Sequence, residues 1–78
     1  MTSKADYTFL DMLIQESVAS GNNTFAKIDT GEVNKQAKLL EQQIKSEAFR
    51  IIDRRLQALR KKGLIKYSTV EKWTINYE

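Results

Sequence analysis

The sequence of 78 residues contains no cysteine, no histidine and no proline, and only three glycines. Without cysteine there is neither a disulfide framework nor a thiolate metal site. Without histidine the chain lacks the commonest general base and the commonest transition-metal ligand. So little glycine and proline is not typical of a linker or a low-complexity segment. We therefore expect one folded domain that is not an enzyme and needs no cofactor and no metal.

Long apolar segments are also missing. No apolar run approaches the roughly 18 residues that a membrane span requires. The first twelve residues, MTSKADYTFLDM, contain acids where a signal peptide has an uninterrupted apolar segment. These features predict a soluble, cytoplasmic protein with no membrane partner. No small-molecule ligand is evident from the sequence.

Charge is distributed unevenly along the chain. Residues 1–44 carry four lysines and six acids, whereas residues 45–72 carry nine lysines or arginines and three acids. The overall net charge of +3 therefore conceals a segment with a net charge of +6. Such asymmetry is typical of proteins that contact nucleic acids or membrane surfaces, although a solvated helix face produces the same pattern.

Apolar residues at steps of three and four predict a first helix over about residues 4–20. Its core stripe consists of Tyr7, Leu10, Leu13, Ile14 and Val18. Ser3 suits the N-cap position, and Gly21 suits the left-handed residue after the helix. Residues 24–28 predict a short extended piece.

Two further helices are predicted, over about residues 30–42 and 46–62. Asp29 and Glu32 have the spacing of a capping box before the first of them, and Gly63 ends the second. The two core stripes consist of Val33, Ala37, Leu40 and Ile44, and of Phe49, Ile52, Leu56 and Leu59. A shift of phase and a possible N-cap at Ser46 predict a turn within residues 43–47. One continuous helix from about residue 31 to 62 is the alternative.

After Gly63 the apolar period changes from 3.6 to 2. Ile65 and Tyr67, and then Trp73, Ile75 and Tyr77, alternate with polar residues. This alternation predicts a β-hairpin over residues 64–77, with its aromatic residues packed on the core. The predicted fold class is α+β and mostly helical, with three helices and a C-terminal β-hairpin.

Residues 51–78, IIDRRLQALRKKGLIKYSTVEKWTINYE, resemble the C-terminal half of a winged helix-turn-helix DNA-binding domain. The resemblance lies in Arg54-Arg55-Leu56, in Leu59, in Lys62-Gly63-Leu64-Ile65 and in Trp73-Thr74-Ile75. It implies that residues 1–78 form a single winged helix-turn-helix domain. Residues 46–62 would be its recognition helix and residues 64–77 its wing. The implied partner is double-stranded DNA.

On a helical wheel Arg50, Arg54, Gln57 and Lys61 form one stripe opposite the predicted core. Arginine can donate two hydrogen bonds to guanine in the major groove, and glutamine can pair with adenine. Arg55 is expected to contact phosphate. Lys66 and Lys72 on the wing could contact an adjacent phosphate or the minor groove, or only protect an edge strand from aggregation. The predicted DNA-binding residues are Lys45, Ser46, Glu47, Arg50, Arg54, Arg55, Gln57, Lys61, Lys66 and Lys72.

We therefore predict a small transcriptional regulator. It would be nucleoid-associated if cellular, and intracellular if encoded by a virus or plasmid. A protein of a different class remains open: an interaction module that docks on an acidic partner and binds nucleic acid only non-specifically.

Four apolar residues do not fit the core stripes. Phe9 and Met12 lie off the stripe of the first helix, and Ile51 and Ala58 lie at the edge of the stripe of the third. Small winged domains commonly bind DNA as symmetric pairs. We therefore predict a homodimer with Phe9 and Met12 in its interface.

Overall fold

The computed structural model describes residues 6–76, which form four α-helices followed by a two-stranded antiparallel sheet. The elements are α1 (Thr8–Ala19), α2 (Phe25–Ile28), α3 (Gly31–Ile44), α4 (Ala48–Lys61), β1 (Ile65–Ser68) and β2 (Lys72–Ile75). The mostly helical α+β class and the C-terminal hairpin are therefore confirmed. None of the helices in this range is long and apolar enough to cross a membrane.

Helix α1 begins later than predicted, at Thr8. The Asp6 carboxylate accepts a hydrogen bond of 2.9 Å from the backbone N–H of Thr8, and this bond lowers the pKa of Asp6. The predicted N-cap, Ser3, lies outside the described residues. At the other end Gly21 has a φ of +99°, and its N–H donates to the carbonyl of Val18. A left-handed glycine thus follows α1, as the sequence predicted.

Residues 25–28 form one helical turn, so the prediction of an extended piece was wrong. Thr24 is the N-cap, and its hydroxyl accepts a hydrogen bond of 3.3 Å from the N–H of Lys27. Ile28 is fully buried, and Phe25 packs against the core. Two apolar residues three positions apart behind a threonine fit a helical turn, which a pattern of five residues could not distinguish from a strand.

Helix α3 has Thr30 as its N-cap, and no side chain makes a capping hydrogen bond there. The predicted capping box of Asp29 and Glu32 was therefore wrong. The Asp29 carboxylate instead accepts a hydrogen bond of 2.7 Å from the Asn34 side-chain amide. The Thr30 hydroxyl turns back and donates to the carbonyl of Lys27. The buried residues of α3 are Val33, Ala37 and Leu40, as predicted.

A three-residue turn, residues 45–47, separates α3 from α4 and rules out the continuous helix. Lys45 reverses the chain direction in the left-handed conformation, with a φ of 53°. The N-cap of α4 is Glu47 rather than Ser46. The first amide of α4, on Ala48, donates to the Glu41 carboxylate of α3 at 2.9 Å. A side chain of the preceding helix thus caps α4.

The buried face of α4 differs from the predicted stripe at two positions. Phe49 is 48% exposed and Ile51 is 1% exposed, the reverse of the expectation. Ile51 belongs to the buried core cluster, and Ile44 at the end of α3 and Tyr7 before α1 pack against that cluster. The buried sector is consequently rotated toward Ile51 and away from Phe49. The remaining buried residues of α4 are Ala48, Ile52, Leu56 and Leu59.

The hairpin closes the core at the C-terminal end of α4. Trp73 on β2 pairs with Tyr67 on β1, and their rings meet edge-to-face with centroids 4.9 Å apart. Trp73 is buried as predicted, whereas Tyr67 is half-exposed. The N–H of Trp73 donates to the carbonyl of Asn23 at 3.0 Å, which ties the loop before α2 to the hairpin. Strand β2 ends at Ile75, and the predicted strand residue Tyr77 lies outside the described residues.

Candidate nucleic-acid interface

The outer face of α4 carries a basic stripe, which we define as Arg50, Arg54, Gln57 and Lys61. All four side chains are exposed, as the sequence predicted, and lie opposite the buried Ile52, Leu56 and Leu59. Steps of four, three and four residues align them along about three helical turns. The stripe therefore presents two guanidinium groups, one amide and one ammonium group on a single face.

Few acidic side chains of the protein pair with the cations of the basic stripe. Within residues 6–76 the only ion pairs are Arg50–Glu47 and Arg55–Asp11. The Arg50 Nε lies 3.9 Å from a Glu47 carboxylate oxygen, and the two side chains are 61% and 67% exposed. Exposed pairs of this kind contribute under about 1 kcal/mol. Arg50 and Arg54 are thus free to bind an anionic or hydrogen-bonding ligand.

Arg55 has a different environment from its neighbour Arg54. Its Nε and Nη2 each donate a hydrogen bond of 2.8 Å to a carboxylate oxygen of Asp11 on α1. Its guanidinium also lies 4.6 Å from the centroid of the Tyr7 ring. The hydrogen bonds to Asp11 raise the pKa of Arg55 above its ordinary value. Arg55 therefore holds α4 against α1. The phosphate contact expected of Arg55 stays a prediction.

The predicted residues at the two ends of the interface lie on the turn and on the hairpin. Lys45 and Glu47 are exposed in the turn before α4, and Ser46 between them is half-buried. Lys66 is exposed and Lys72 is half-buried. The register pairs Lys66 with Thr74 and Lys72 with Ser68, whereas Tyr67 and Trp73 pair with each other.

A cleft of about 270 Å³ opens on the N-terminal half of the outer face of α4. We call it the aromatic cleft; its lining residues are Phe25, Phe49, Arg50, Asp53 and Arg54. The Arg50 guanidinium carbon lies 5.9 Å from the centroid of the Phe49 ring. The sequence interpretation missed this cleft because it assigned Phe49 to the core. No local pattern in the sequence distinguishes Phe49 from the buried residues of α4.

A second exposed apolar surface involves α1 and the segment before β1. Phe9 and Met12 on α1 and Leu64 before β1 are each about half-exposed. Met12 and Leu64 also line a groove of about 520 Å³ between α1 and the end of α4. The remaining lining residues are Thr8, Asp11, Gln15, Glu16, Leu59 and Lys62. Ile51, in contrast, is buried within one copy of the chain, and Ala58 is partly buried.

Among residues 6–76 no three acidic side chains are grouped so that they could hold a metal ion. The chain was also compared with protein-family models, curated proteins and solved structures, and none of them matches it. The geometry of the chain itself therefore has to support any functional assignment.

Proposed function

We propose that the protein binds double-stranded DNA, with α4 in the major groove and the hairpin against the backbone. The main support is the basic stripe on α4, the second of two helices joined by a three-residue turn. This arrangement is typical of helix-turn-helix domains, in which the second helix contacts the bases. A hairpin carrying Lys66 and Lys72 follows directly, as in a winged domain.

The chemistry of the stripe matches the hydrogen-bonding groups of the major groove. Arg50 and Arg54 can each donate two hydrogen bonds to guanine, and Gln57 can pair with an adenine edge. Lys61, Lys66 and Lys72 supply point charges for phosphates. The acidic Glu47 and Asp53 lie beside the arginines in the sequence. Their negative charge weakens any binding to an anionic surface that depends on charge alone. This mixture favours sequence-dependent DNA binding over a purely electrostatic interaction.

We propose further that two copies bind DNA together, with Phe9 and Met12 in their interface. One α4 helix reads only a few base pairs, and a symmetric pair would place a second helix in a neighbouring major groove. A two-fold interface buries the same surface on both copies. Phe9 and Met12 are both about half-exposed and lie three positions apart on α1, and Met12 lines a groove with Leu64, which suits reciprocal packing of this kind.

The experiment that tests the proposed function is selection of bound duplexes from a random pool. Titration of the selected duplex at several salt concentrations then follows. We expect enrichment of one motif and an affinity that falls steeply with salt, because bound cations release counterions from DNA. Equal binding to all duplexes, or none, would contradict the proposal. Weak and sequence-independent binding together with tight capture of an acidic protein would support an interaction module instead.

A further inference from the structure

Phe49 is an apolar side chain at the edge of the outer face of α4, beside the basic stripe. It is the second residue of the helix and directly precedes Arg50. About half of its surface is exposed, although burial of a phenylalanine contributes substantially to stability. Together with Phe25 on α2 it forms the apolar part of the lining of the aromatic cleft.

The composition of the aromatic cleft matches one feature of the major groove. Base edges present hydrogen-bonding groups there, and the C5-methyl group of thymine is the apolar exception, for which phenylalanine is a known type of contact. The first residues of a recognition helix are those that approach base edges most closely. An apolar ring at this position, next to an arginine able to bind guanine, is therefore suited to a pyrimidine methyl group.

Asp53 supplies the polar part of the same recognition. It lies one turn after Phe49 and is exposed, and no ion pair within residues 6–76 includes its carboxylate. A carboxylate can accept a hydrogen bond from the exocyclic amine of cytosine. In the major groove such an amine lies next to the C5 position of the same ring. The ring of Phe49 and the carboxylate of Asp53 thus complement adjacent groups on the edge of a cytosine methylated at C5. At a thymine, whose C4 oxygen is an acceptor, the contact would come from Phe49 alone.

We propose that the aromatic cleft, through Phe49, reads the C5-methyl group of a pyrimidine beside the base bound by Arg50. This inference rests on the proposed binding of duplex DNA by α4. Thymine and cytosine methylated at C5 both carry the required methyl group. Phe49 would then determine specificity, whereas the basic stripe would supply most of the affinity.

The test starts from the duplex selected out of the random pool. Each thymine is replaced singly by deoxyuridine, and each cytosine singly by 5-methylcytosine, before titration by fluorescence anisotropy. For the wild-type chain we expect loss of one thymine methyl to weaken binding about fourfold, the change that corresponds to burial of one methyl group. The Phe49→Ala variant should bind the duplex with that thymine and the duplex with deoxyuridine in its place equally well. If 5-methylcytosine instead strengthens binding at a cytosine position, and Phe49→Ala abolishes this gain, then 5-methylcytosine is the source of the methyl group.

Two control variants separate a specific contact from a general effect. Phe49→Leu keeps an apolar side chain and should retain the preference for the methyl group. Leu39→Ala removes another exposed apolar side chain, 57% exposed on α3, and should behave as wild type. Circular dichroism of every variant checks that it is folded.

The outcomes distinguish this inference from the proposed function. A wild-type chain that binds the selected duplex without any methyl preference would overturn the inference and leave DNA binding intact. So would a Phe49→Ala variant that keeps the preference. If the wild-type chain binds no duplex from the pool, the proposed function fails and the inference fails with it.

Discussion

Arg55 on α4 donates two hydrogen bonds of 2.8 Å to the two carboxylate oxygens of Asp11 on α1. The side chains are only 18% and 15% exposed, and the Tyr7 ring covers the guanidinium. A bidentate pair of this kind restricts both distance and orientation. The adjacent Arg54 remains exposed on the basic stripe. Of these two consecutive arginines, Arg55 thus stabilises the packing of α4 on α1, whereas Arg54 is exposed at the surface.

The Asp11–Arg55 pair is expected to stabilise the fold. A double-mutant cycle with Asp11→Ala and Arg55→Ala, measured by urea unfolding, should give a coupling energy of about 1–2 kcal/mol, because the hydrogen bonds are charged and mostly buried. The exposed Glu47–Arg50 pair is the matched control and should give about 0.5 kcal/mol or less. Equal couplings near zero for both pairs would contradict the structural role of Arg55.

Ile51 and Phe49 should differ strongly in their contributions to stability. Ile51→Ala is expected to lower the free energy of unfolding by about 2–4 kcal/mol, because it leaves a cavity where α4 meets α3. Phe49→Ala removes a half-exposed ring and should cost about 1 kcal/mol or less. Urea unfolding of both variants checks this order. A larger loss for Phe49→Ala would mean that the face of α4 is rotated toward the stripe predicted from the sequence.

Substitutions at the two left-handed residues that flank α4 should have opposite effects on the stability of the fold. Gly63 has a φ of +81°, and a Cβ added there would meet no atom within 4 Å, so Gly63→Ala should cost about 1 kcal/mol through the backbone alone. Lys45 has a φ of 53°, and Lys45→Gly should raise stability by up to about 1 kcal/mol. Thermal unfolding by circular dichroism measures both changes. Stabilisation by Gly63→Ala would rule out the left-handed turn.

The proposed dimer has a direct test in the mass of the protein in solution. One chain has a mass of 9.0 kDa, and light scattering at high micromolar concentration should give twice this value. Phe9→Ser combined with Met12→Ser should reduce the mass to that of one chain, whereas Leu39→Ser should leave the dimer intact. A wild-type mass of 9.0 kDa under these conditions would refute the dimer.

The sequence predicted the features that depend on local periodicity. The turn between α3 and α4, the end of the helical segment before Gly63 and the alternation around Trp73 all follow from side-chain spacing or glycine position. The exposure of the basic stripe was predicted correctly for the same reason, since Arg50 and Arg54 lie opposite any core that contains Ile52 and Leu56.

Features that depend on distant partners could not be predicted. Asp11 and Arg55 are 44 positions apart, so no local pattern distinguishes Arg55 from Arg54. Ile51 is buried in a core cluster against which Ile44 of α3 and Tyr7, before α1, also pack, and a helical wheel contains no information about such neighbours. The aromatic cleft was missed in consequence, because Phe49 faces outward only when the buried sector of α4 is rotated toward Ile51.

The most direct test of the account compares two double variants that remove the same charge. Arg50→Ala with Arg54→Ala changes the basic stripe, and Lys35→Ala with Lys38→Ala removes two exposed cations from α3. In anisotropy titrations of the selected duplex we expect the first variant to bind more than about tenfold more weakly, since each arginine contact with a base is worth about 1–3 kcal/mol. The second should lose no more than about threefold. Equal affinities of the wild-type chain and the Arg50/Arg54 double variant would contradict DNA binding through α4.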